Sequence, residues 1–319
     1  MTEMTVAVLV EHRGDEIAHP TLESLTLART LGTPVAVWMG EEPPADAVAL
    51  LGAYGADEVR VLAIGEGARL AATAAAAVHG ATADAGVVLV VSTFVNKEIA
   101  TRLALATGAG VVVDAAGAER ADGRIEATQT VFAATWNIRT RINADRAIVA
   151  LRPNTTQAVA APTPGAATVV PVLVALPQTR ESVVSVTPVE RPEGVPLSEA
   201  AVVVSGGRGT SGDYTLVREL AGVLGGAVGA SRDATDEGWI GHEHMVGQTG
   251  ATVTPALYVA CGISGAVHHR GGMQASGTIV AVNMDPDAPI FEIADFGVVG
   301  DLKDVLPQAM TAIRAHRGE

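Results

Sequence analysis

The stretch TVAVLVEHRGDEIAHPTLESLTLARTLGTPVAVWM, residues 5–39, contains a strand, a helix and a second strand in close succession. The Val/Leu run at 5–11 predicts a buried strand, and the Leu-rich segment 21–31 predicts a helix that Gly32 and Pro34 end. A second strand is predicted at 35–39. Strands joined by a helix through short loops are typical of parallel neighbours with a right-handed crossover.

The same alternation continues to residue 114 and then stops. Further strands are predicted at 58–63, 87–92 and 111–114, and further helices at 46–54, 68–79 and 96–107. Three more strands follow without helices, at 124–134, 138–142 and 147–151, and we expect antiparallel additions at one edge of the sheet. Residues 1–192 are therefore predicted to form an α/β domain with a doubly wound parallel sheet.

A second domain of the same class is predicted at 197–319. A stretch rich in Pro, Thr and Ala at 153–196 precedes it, and the boundary is placed near Pro192 to Leu197. Strands are predicted at 201–205, 227–231, 256–260, 278–283 and 290–294, with helices at 214–224 and 302–317. The pattern predicts a second Rossmann-like sheet.

Composition excludes several classes of protein. The formal charge of −14, from 21 basic and 35 acidic residues, disfavours nucleic acid and acidic membranes as partners. The single cysteine, Cys261, excludes an internal disulfide or a multi-thiolate metal site in this chain. The acidic start lacks the features of a secretory signal, and no apolar run reaches the ~18 residues of a membrane span. We expect a soluble, cytoplasmic protein.

Two junctions in the second domain place glycines between a strand and a helix. They are VVVSGGRGTSG, residues 202–212, and LYVACGISGAVHHRGGM, residues 257–273. Such glycines permit close approach to a phosphate, and the amides of 263–266 could bind a pyrophosphate. Neither spacing is that of a P-loop or of G-x-G-x-x-G, and a tight turn alone would also explain the first. No G-x-S-x-G nucleophile motif is present, which disfavours a hydrolase.

The segment between these junctions, GASRDATDEGWIGHEHMVGQTG at 229–250, is rich in hydrogen-bond donors. Half of the eight histidines lie within 28 residues, at positions 242, 244, 268 and 269. A His-x-His pair on a loop is weak evidence for a metal ligand, so solvated loop histidines are the favoured interpretation. No metal site is predicted.

Five motifs in order, GASR, VGQTG, LYVACGISGAVHH, TIVAVN and DAPIFEIADFGVVGDL, resemble the electron-transfer flavoprotein alpha (large) subunit family. The likeness covers nearly all of 201–319. The first domain is similar more loosely, through AVLVEH, TLESLTLARTLG and VSTFVNKEIATRLALATGAGVVVD. The resemblance implies FAD in the second domain and a heterodimer, in which the first domain forms a platform with a beta subunit that usually carries AMP.

The function implied by this resemblance is that of an electron carrier with no catalytic residue of its own. Single electrons would come from acyl-CoA dehydrogenases of fatty acid beta-oxidation and from other flavoprotein dehydrogenases. They would pass to a membrane electron-transfer flavoprotein quinone oxidoreductase. Two alternatives stay open: a subunit of an NADH-dependent electron-bifurcating complex, with a second FAD in the beta subunit, and a nucleotide-binding module without redox function.

At the flavin end of the site, the resemblance implies a set of hydrogen-bond donors. Arg232 would lie against the ring, and Thr249 would donate to flavin N5 with Gln248 beside it. His269 would lie near the O2 and N1 edge, where a charged or donating imidazole stabilises negative charge. His268 stands where the family usually has Gln.

Toward the other end of the cofactor, Ser231 and Ser264 match positions that meet the pyrophosphate or ribityl chain. Asn283 and Asp301 match positions near the adenosine, and Asp301 could equally be the N-cap of the last helix. The glycines of the second junction complete the predicted site, at Gly262 and Gly265. Met284 stands where the family usually has Lys, and Met245 where Gln is frequent, so cofactor affinity and potential are expected to differ from those of typical members.

Overall fold

The computed structural model describes residues 4–132, 134–163, 165–187 and 195–318. The chain divides into two compact units, the first formed by Met1–Thr130 and Asn137–Val189, the second by Val131–Trp136 and Glu190–Glu319. Pro192, at the predicted domain boundary, lies outside the described residues. The limits 192 and 197 therefore remain predictions.

In its described residues, the first unit contains a nine-stranded sheet, a two-stranded hairpin and four α-helices. The sheet strands are β1 (Thr5–Leu9), β4 (Thr33–Met39), β5 (Glu58–Leu62), β6 (Val87–Val91), β7 (Gly110–Ala121), β8 (Arg124–Val131), β9 (Trp136–Ile142), β10 (Ala147–Leu151) and β11 (Thr168–Pro171). The hairpin consists of β2 (His12–Arg13) and β3 (Glu16–Ile17). The helices are α1 (His19–Leu31), α2 (Ala45–Ala53), α3 (Ala71–Ala81) and α4 (Phe94–Thr107). The strand order is β11-β5-β4-β1-β6-β10-β7-β8-β9.

Helices cover both faces of this sheet, which confirms the doubly wound fold. Val6 and Val8 of β1 belong to one core, together with Leu25 of α1. Ala7, between them, belongs to a second core that includes Ile99 of α4. Since neighbouring residues of a strand point to opposite faces, a strand buried on both sides needs an unbroken apolar sequence, as these Val-rich runs provide.

The antiparallel edge is present, but one of its three predicted strands lies elsewhere. β8 pairs antiparallel with β7, and β9 lies beyond it at the edge. The prediction that 147–151 is an antiparallel edge strand was wrong, because β10 is parallel to both β6 and β7 and lies between them. All five of its residues are buried. The unbroken apolar sequence AIVAL suits such an interior strand better than an edge.

The second unit, over the part of it that the structure describes, is a five-stranded parallel sheet with four α-helices. Its strands are β12 (Val202–Gly206), β13 (Ala227–Ala230), β14 (Leu257–Cys261), β15 (Thr278–Asn283) and β16 (Phe296–Val299), in the order β13-β12-β14-β15-β16. Its helices are α5 (Thr215–Leu224), α6 (Arg232–Asp236), α7 (Val267–Met273) and α8 (Leu302–Arg317). Leu220 of α5 and Leu306 of α8 share a core on one face, and Met273 of α7 lies in the core of the other.

The prediction of a strand at 290–294 was wrong. This segment forms a 3-10 turn, Pro289–Glu292, and the fifth strand is β16. Ile290 is fully buried by the turn, while all four residues of β16 are exposed. An exposed edge strand that contains a glycine gives a weaker sequence signal than the buried apolar residue before it.

The helices are short compared with the thickness of a membrane. Within the described ranges the longest is α8, with 16 residues, whereas spanning a bilayer takes about 20 apolar residues. None of the helices in those ranges is long and apolar enough to cross a membrane.

Candidate functional site

The strand order of the second unit reverses direction between β12 and β14, and this is where a ligand crevice is expected. From β12 the chain passes to β13 on one side, and β14 lies on the other side of β12. In open parallel sheets the loops diverge at such a point and leave a crevice at the carboxyl ends of the strands. The two glycine-rich junctions predicted from the sequence, 202–212 and 257–273, contain β12 and β14 together with the loops that follow them at this crevice.

The two loops contact each other through their backbones. Gly207 N donates to Cys261 O, and Gly209 N donates to Gly262 O, both over 2.9 Å. A Cβ on Gly207 would lie 2.6 Å from Gly262 O, and one on Gly262 would lie 2.6 Å from Gly209 Cα. Gly262 also has a φ of +62°, which favours glycine. The glycines are therefore required by the close approach of the two loops.

The loop after β14 presents backbone donors at the crevice. Among the described residues, the amides of 263–266 donate to no other group, while Gly262 N donates to Val282 O. Gly265 has a φ of +85° and Ser264 is exposed. Consecutive unpaired amides at the start of a helix are a suitable environment for a phosphate oxygen. The loop thus fits the pyrophosphate of a dinucleotide such as FAD.

Two arginines lie at the same edge of the sheet. Ser231 N donates to Gly206 O over 2.9 Å, and the Ser231 hydroxyl caps α6. Arg232, which follows it, is exposed and pairs with Asp236 at 3.1 Å. Arg208 pairs with Asp233 at 3.0 Å. Exposed ion pairs of this kind contribute little to stability, so either guanidinium can turn to an anionic ligand at small cost.

Arg208 is a candidate that the sequence reasoning missed. It lies in GGRGTSG, directly between Gly207 and Gly209. A cation within a glycine-rich loop that follows a parallel strand was the available signal.

The segment 245–251 brings Gln248 and Thr249 beside the first turn of α7. Val246 N donates to Ala230 O, and Gln248 N donates to His268 O, both over 2.9 Å. The side chains of Gln248 and His268 are also joined, with 2.8 Å between Oε1 and Nδ1. Gln248, Thr249 and His268 are all exposed. Gln248 and His268 are therefore joined through both backbone and side chain at the first turn of α7, while no contact joins Arg232 of α6 to them within the described residues.

His269 differs from its neighbour because its side chain is buried. Only 7% of the residue is exposed, and its Nε2 lies 2.9 Å from the hydroxyl of Tyr258. Burial lowers the pKa of His269 to about 4, so the imidazole is neutral at pH 7. This supports a donating imidazole over a charged one. Tyr258 was not among the predicted site residues.

Asn283 and Asp301 are committed to the backbone of their own loops. Asn283 Nδ2 donates to Ile263 O over 2.9 Å, and its Oδ1 accepts from Asp285 N. Asp301 accepts from Lys303 N and is the N-cap of α8, which confirms that interpretation. Asn283 thus shapes the loop with the free amides. Contacts of Asn283 and Asp301 with adenosine remain predictions.

The remaining residues of note are two histidines and the cysteine. His244 Nδ1 lies 2.8 Å from Val228 O, and His242 is exposed. No group of three or more His, Cys, Asp or Glu side chains in the described ranges is arranged to hold a metal ion. Cys261 is fully buried, and burial raises the pKa of its thiol to about 12. It is a small apolar core residue, as predicted.

Comparison with known proteins identifies the family. The family model described as "Electron transfer flavoprotein domain" matches residues 6–177, and "Electron transfer flavoprotein FAD-binding domain" matches residues 196–274. The chain is 40% identical over 318 residues to electron transfer flavoprotein subunit alpha of Mycobacterium leprae (strain TN), covering 98% of each chain. The chain belongs to the electron-transfer flavoprotein alpha subunit family.

Other members of the alpha subunit family support the same assignment. The chain is 36% identical over 316 residues to the alpha subunit of Bacillus subtilis (strain 168), covering 95% of each chain. A shorter region of 122 residues is 58% identical to the alpha subunit of Thermoanaerobacterium thermosaccharolyticum, covering 38% of this chain and 37% of that one. The family assignment made from the five motifs is thus confirmed.

Proposed function

We propose that the second unit binds FAD in the crevice between β12 and β14, and that the chain is an electron carrier without a substrate of its own. The observation that carries this proposal is the run of free amides at 263–266, which lies at the crevice. The domain that contains this loop matches the family model of an FAD-binding domain. When bound, FAD would supply one-electron redox chemistry. The protein would supply binding, orientation and electrostatic tuning.

The pyrophosphate would bind the free amides of 263–266 and the guanidinium of Arg208. Ser231 and Ser264 would add hydroxyl donors. Gly262 and Gly265 would keep the loop in its shape, since both have positive φ values. Asn283 would stabilise the same loop through the hydrogen bond from its Nδ2 to Ile263 O.

The flavin ring would lie among Arg232, Gln248, Thr249, His268 and His269. A permanent guanidinium favours the more negative, reduced form of the ring and so raises its potential. Donors to the ring edge act in the same direction. His268 and Met284, which depart from the usual family residues, would modify affinity and potential.

The partners proposed for this chain follow from its family membership. The chain would form a heterodimer with an electron-transfer flavoprotein beta subunit that carries AMP, in the cytoplasm. Electrons would come from acyl-CoA dehydrogenases of fatty acid beta-oxidation and other flavoprotein dehydrogenases. They would leave to a membrane electron-transfer flavoprotein quinone oxidoreductase.

Native mass spectrometry and the absorption spectrum of the complex with its beta subunit test this proposal together. We expect a heterodimer with one FAD and one AMP and a flavin spectrum. Two FAD molecules per heterodimer would favour the bifurcating alternative. A colourless complex with a bound nucleotide would contradict electron transfer and favour the non-redox module.

A further inference from the structure

The turn Pro289–Glu292 lies against the loop that carries the free amides. Ile290 N donates to Ser264 O over 2.9 Å. The side chain of Ile290 is fully buried and lies in the same core as Ile263 of the loop. A Cβ on Gly265 would lie 2.5 Å from Ile290 N, so the backbones of the turn and the loop are in direct contact. The turn is therefore part of what holds this loop in place.

Three consecutive carbonyl groups of the loop accept hydrogen bonds from three different parts of the second unit. The pairs, each joined over 2.9 Å, are Gly209 N to Gly262 O, Asn283 Nδ2 to Ile263 O and Ile290 N to Ser264 O. In a trans peptide unit, the carbonyl group and the N–H of the next residue point in opposite directions. These three bonds therefore turn the amides of 263–265 away from the supporting groups.

An ion pair joins the same turn to α7. Arg270 Nη1 of α7 lies 2.8 Å from Glu292 Oε2 at the end of the turn. The arginine side chain is 21% exposed and the glutamate side chain 69%. Because α7 begins at Val267, directly after the loop, the pair connects the turn to the helix that the loop enters. The loop thus lies between two elements that this ion pair holds together.

We propose that Arg270 and Glu292 are positioning residues, whose ion pair holds the turn against the loop and so keeps the amides of 263–265 facing the bound cofactor. The part that concerns the cofactor rests on the proposed function. The charge of Glu292 alone would repel the pyrophosphate of FAD and weaken its binding. The positional effect of this carboxylate therefore opposes its direct electrostatic effect.

Glu292→Gln separates the two effects because they have opposite signs. Loss of the ion pair should weaken FAD binding to the heterodimer about twofold to fivefold, the range expected for one partly exposed pair. Loss of the negative charge alone would strengthen binding instead. Titration of the cofactor-free heterodimer with FAD measures the dissociation constant. An unchanged or lower dissociation constant would overturn the positioning role.

A charge exchange and a matched control complete the binding experiment. Arg270→Glu combined with Glu292→Arg keeps the net charge and allows the pair to form again, so it should recover most of the lost FAD affinity. The control is Glu66→Gln in the first unit, which removes a carboxylate of similar exposure that pairs with Arg69 at 2.9 Å. This control should bind FAD like the parent. An exchanged protein that binds no better than Glu292→Gln would contradict the proposed pairing.

Hydrogen–deuterium exchange at the Ile290 amide reports the position of the turn without any cofactor. Since this amide is bonded to Ser264 O, its exchange depends on opening of the contact between turn and loop. In the cofactor-free heterodimer, exchange should be about twofold to fivefold faster in Glu292→Gln than in the parent. Exchange in Glu66→Gln should match that of the parent.

These measurements separate this inference from the proposed function. If the parent complex binds no FAD, the proposed function fails, while exchange at Ile290 still tests the ion pair. If FAD binds and Glu292→Gln changes neither exchange nor affinity, only the role of the pair fails. Should Glu292→Gln not fold, exchange in the parent is compared at about 0.05 M and about 1 M salt, since salt screens an exposed pair. Exchange that does not accelerate at the higher salt would then overturn the inference.

Discussion

The amide of Gly209 donates to the carbonyl of Gly262 over 2.9 Å, which joins the loops after two adjacent parallel strands, β12 and β14. The bond depends on the absence of a side chain on either residue. At Gly262 a Cβ would lie 2.6 Å from Gly209 Cα, and the φ of +62° disfavours other residues. The shape of the proposed phosphate site is therefore set by this contact.

Gly262→Ala should disrupt both the fold and the cofactor site. We expect a loss of about 2–4 kcal/mol in the free energy of unfolding, since left-handed strain adds to a backbone clash. FAD binding should fall with it. Urea unfolding and FAD titration measure the two effects.

The matched control is Gly222→Ala on α5, where no described atom lies within 4 Å of the added Cβ. A glycine in a helix costs about 0.5–1 kcal/mol relative to alanine, so this variant should be more stable and bind FAD normally. A Gly262→Ala protein with the stability and FAD content of the parent would contradict the proposed loop geometry.

Arg232→Ala should lower the midpoint potential of the bound flavin, because a permanent positive charge is removed from its neighbourhood. Stability should change by less than about 1 kcal/mol, since the pair with Asp236 is exposed. A spectroscopic redox titration measures the potential. Arg218→Ala, which removes an exposed arginine from α5, serves as the control. If both variants titrate like the parent, Arg232 does not belong to the flavin site.

Asp301 allows the cap and the cofactor contact to be tested separately. Asp301→Ala should cost about 1 kcal/mol through loss of the N-cap of α8. Asp301→Asn should retain most of this stability, because Asn caps equally well, while it removes the charge. Thermal unfolding and FAD affinity are compared for both. An unchanged affinity in Asp301→Asn would argue against a charge-dependent contact with the adenosine end.

Glu23 on α1 predicts a pH dependence of the first unit. Its carboxyl group is buried, it accepts from Asn154 N at 2.8 Å, and burial raises its pKa from 4.5 to about 7. The folded protein then binds a proton more tightly than the unfolded chain. Because of this group, the free energy of unfolding should fall by on the order of 2–3 kcal/mol as pH rises from about 4.5 to about 7.

Glu23→Gln should remove this contribution while keeping an acceptor for the amide of Asn154. Its free energy of unfolding should fall less between pH 4.5 and pH 7 than that of the parent. Glu42→Gln, at an exposed position, should follow the parent. Parallel curves for the parent and Glu23→Gln would show that Glu23 ionises normally in the fold.

Much of the fold could be predicted from the sequence because local signals agree with the tertiary structure. Helix α8 was predicted at 302–317, where the structure has it, because Asp301 caps its start and Gly318 follows its end. The placement of β10 could not be predicted. Its apolar sequence indicates a buried strand, but nothing local indicates which strands it joins.

The candidate site, like the fold, has features that local sequence signals predict and features that depend on tertiary contacts. The glycine-rich junctions were recognisable because the backbone geometry requires glycine at Gly207 and Gly262. Tyr258 was not recognisable, since a tyrosine within an apolar strand looks like an ordinary core residue until the partner on α7 is known. The roles of individual residues toward FAD remain predictions.

The interior position of β10 has a consequence for how the first unit acquires its structure during synthesis. β6 ends at residue 91, and the strand beside it begins at residue 147, after the whole β8–β9 hairpin. A nascent chain therefore exposes the edge of β6 until about 55 further residues have been made, and the edge of β7 until about 25 further residues have been made. We expect this incomplete sheet to be the folding intermediate that is most prone to aggregation. A chain truncated before residue 147 should keep these strand edges unpaired.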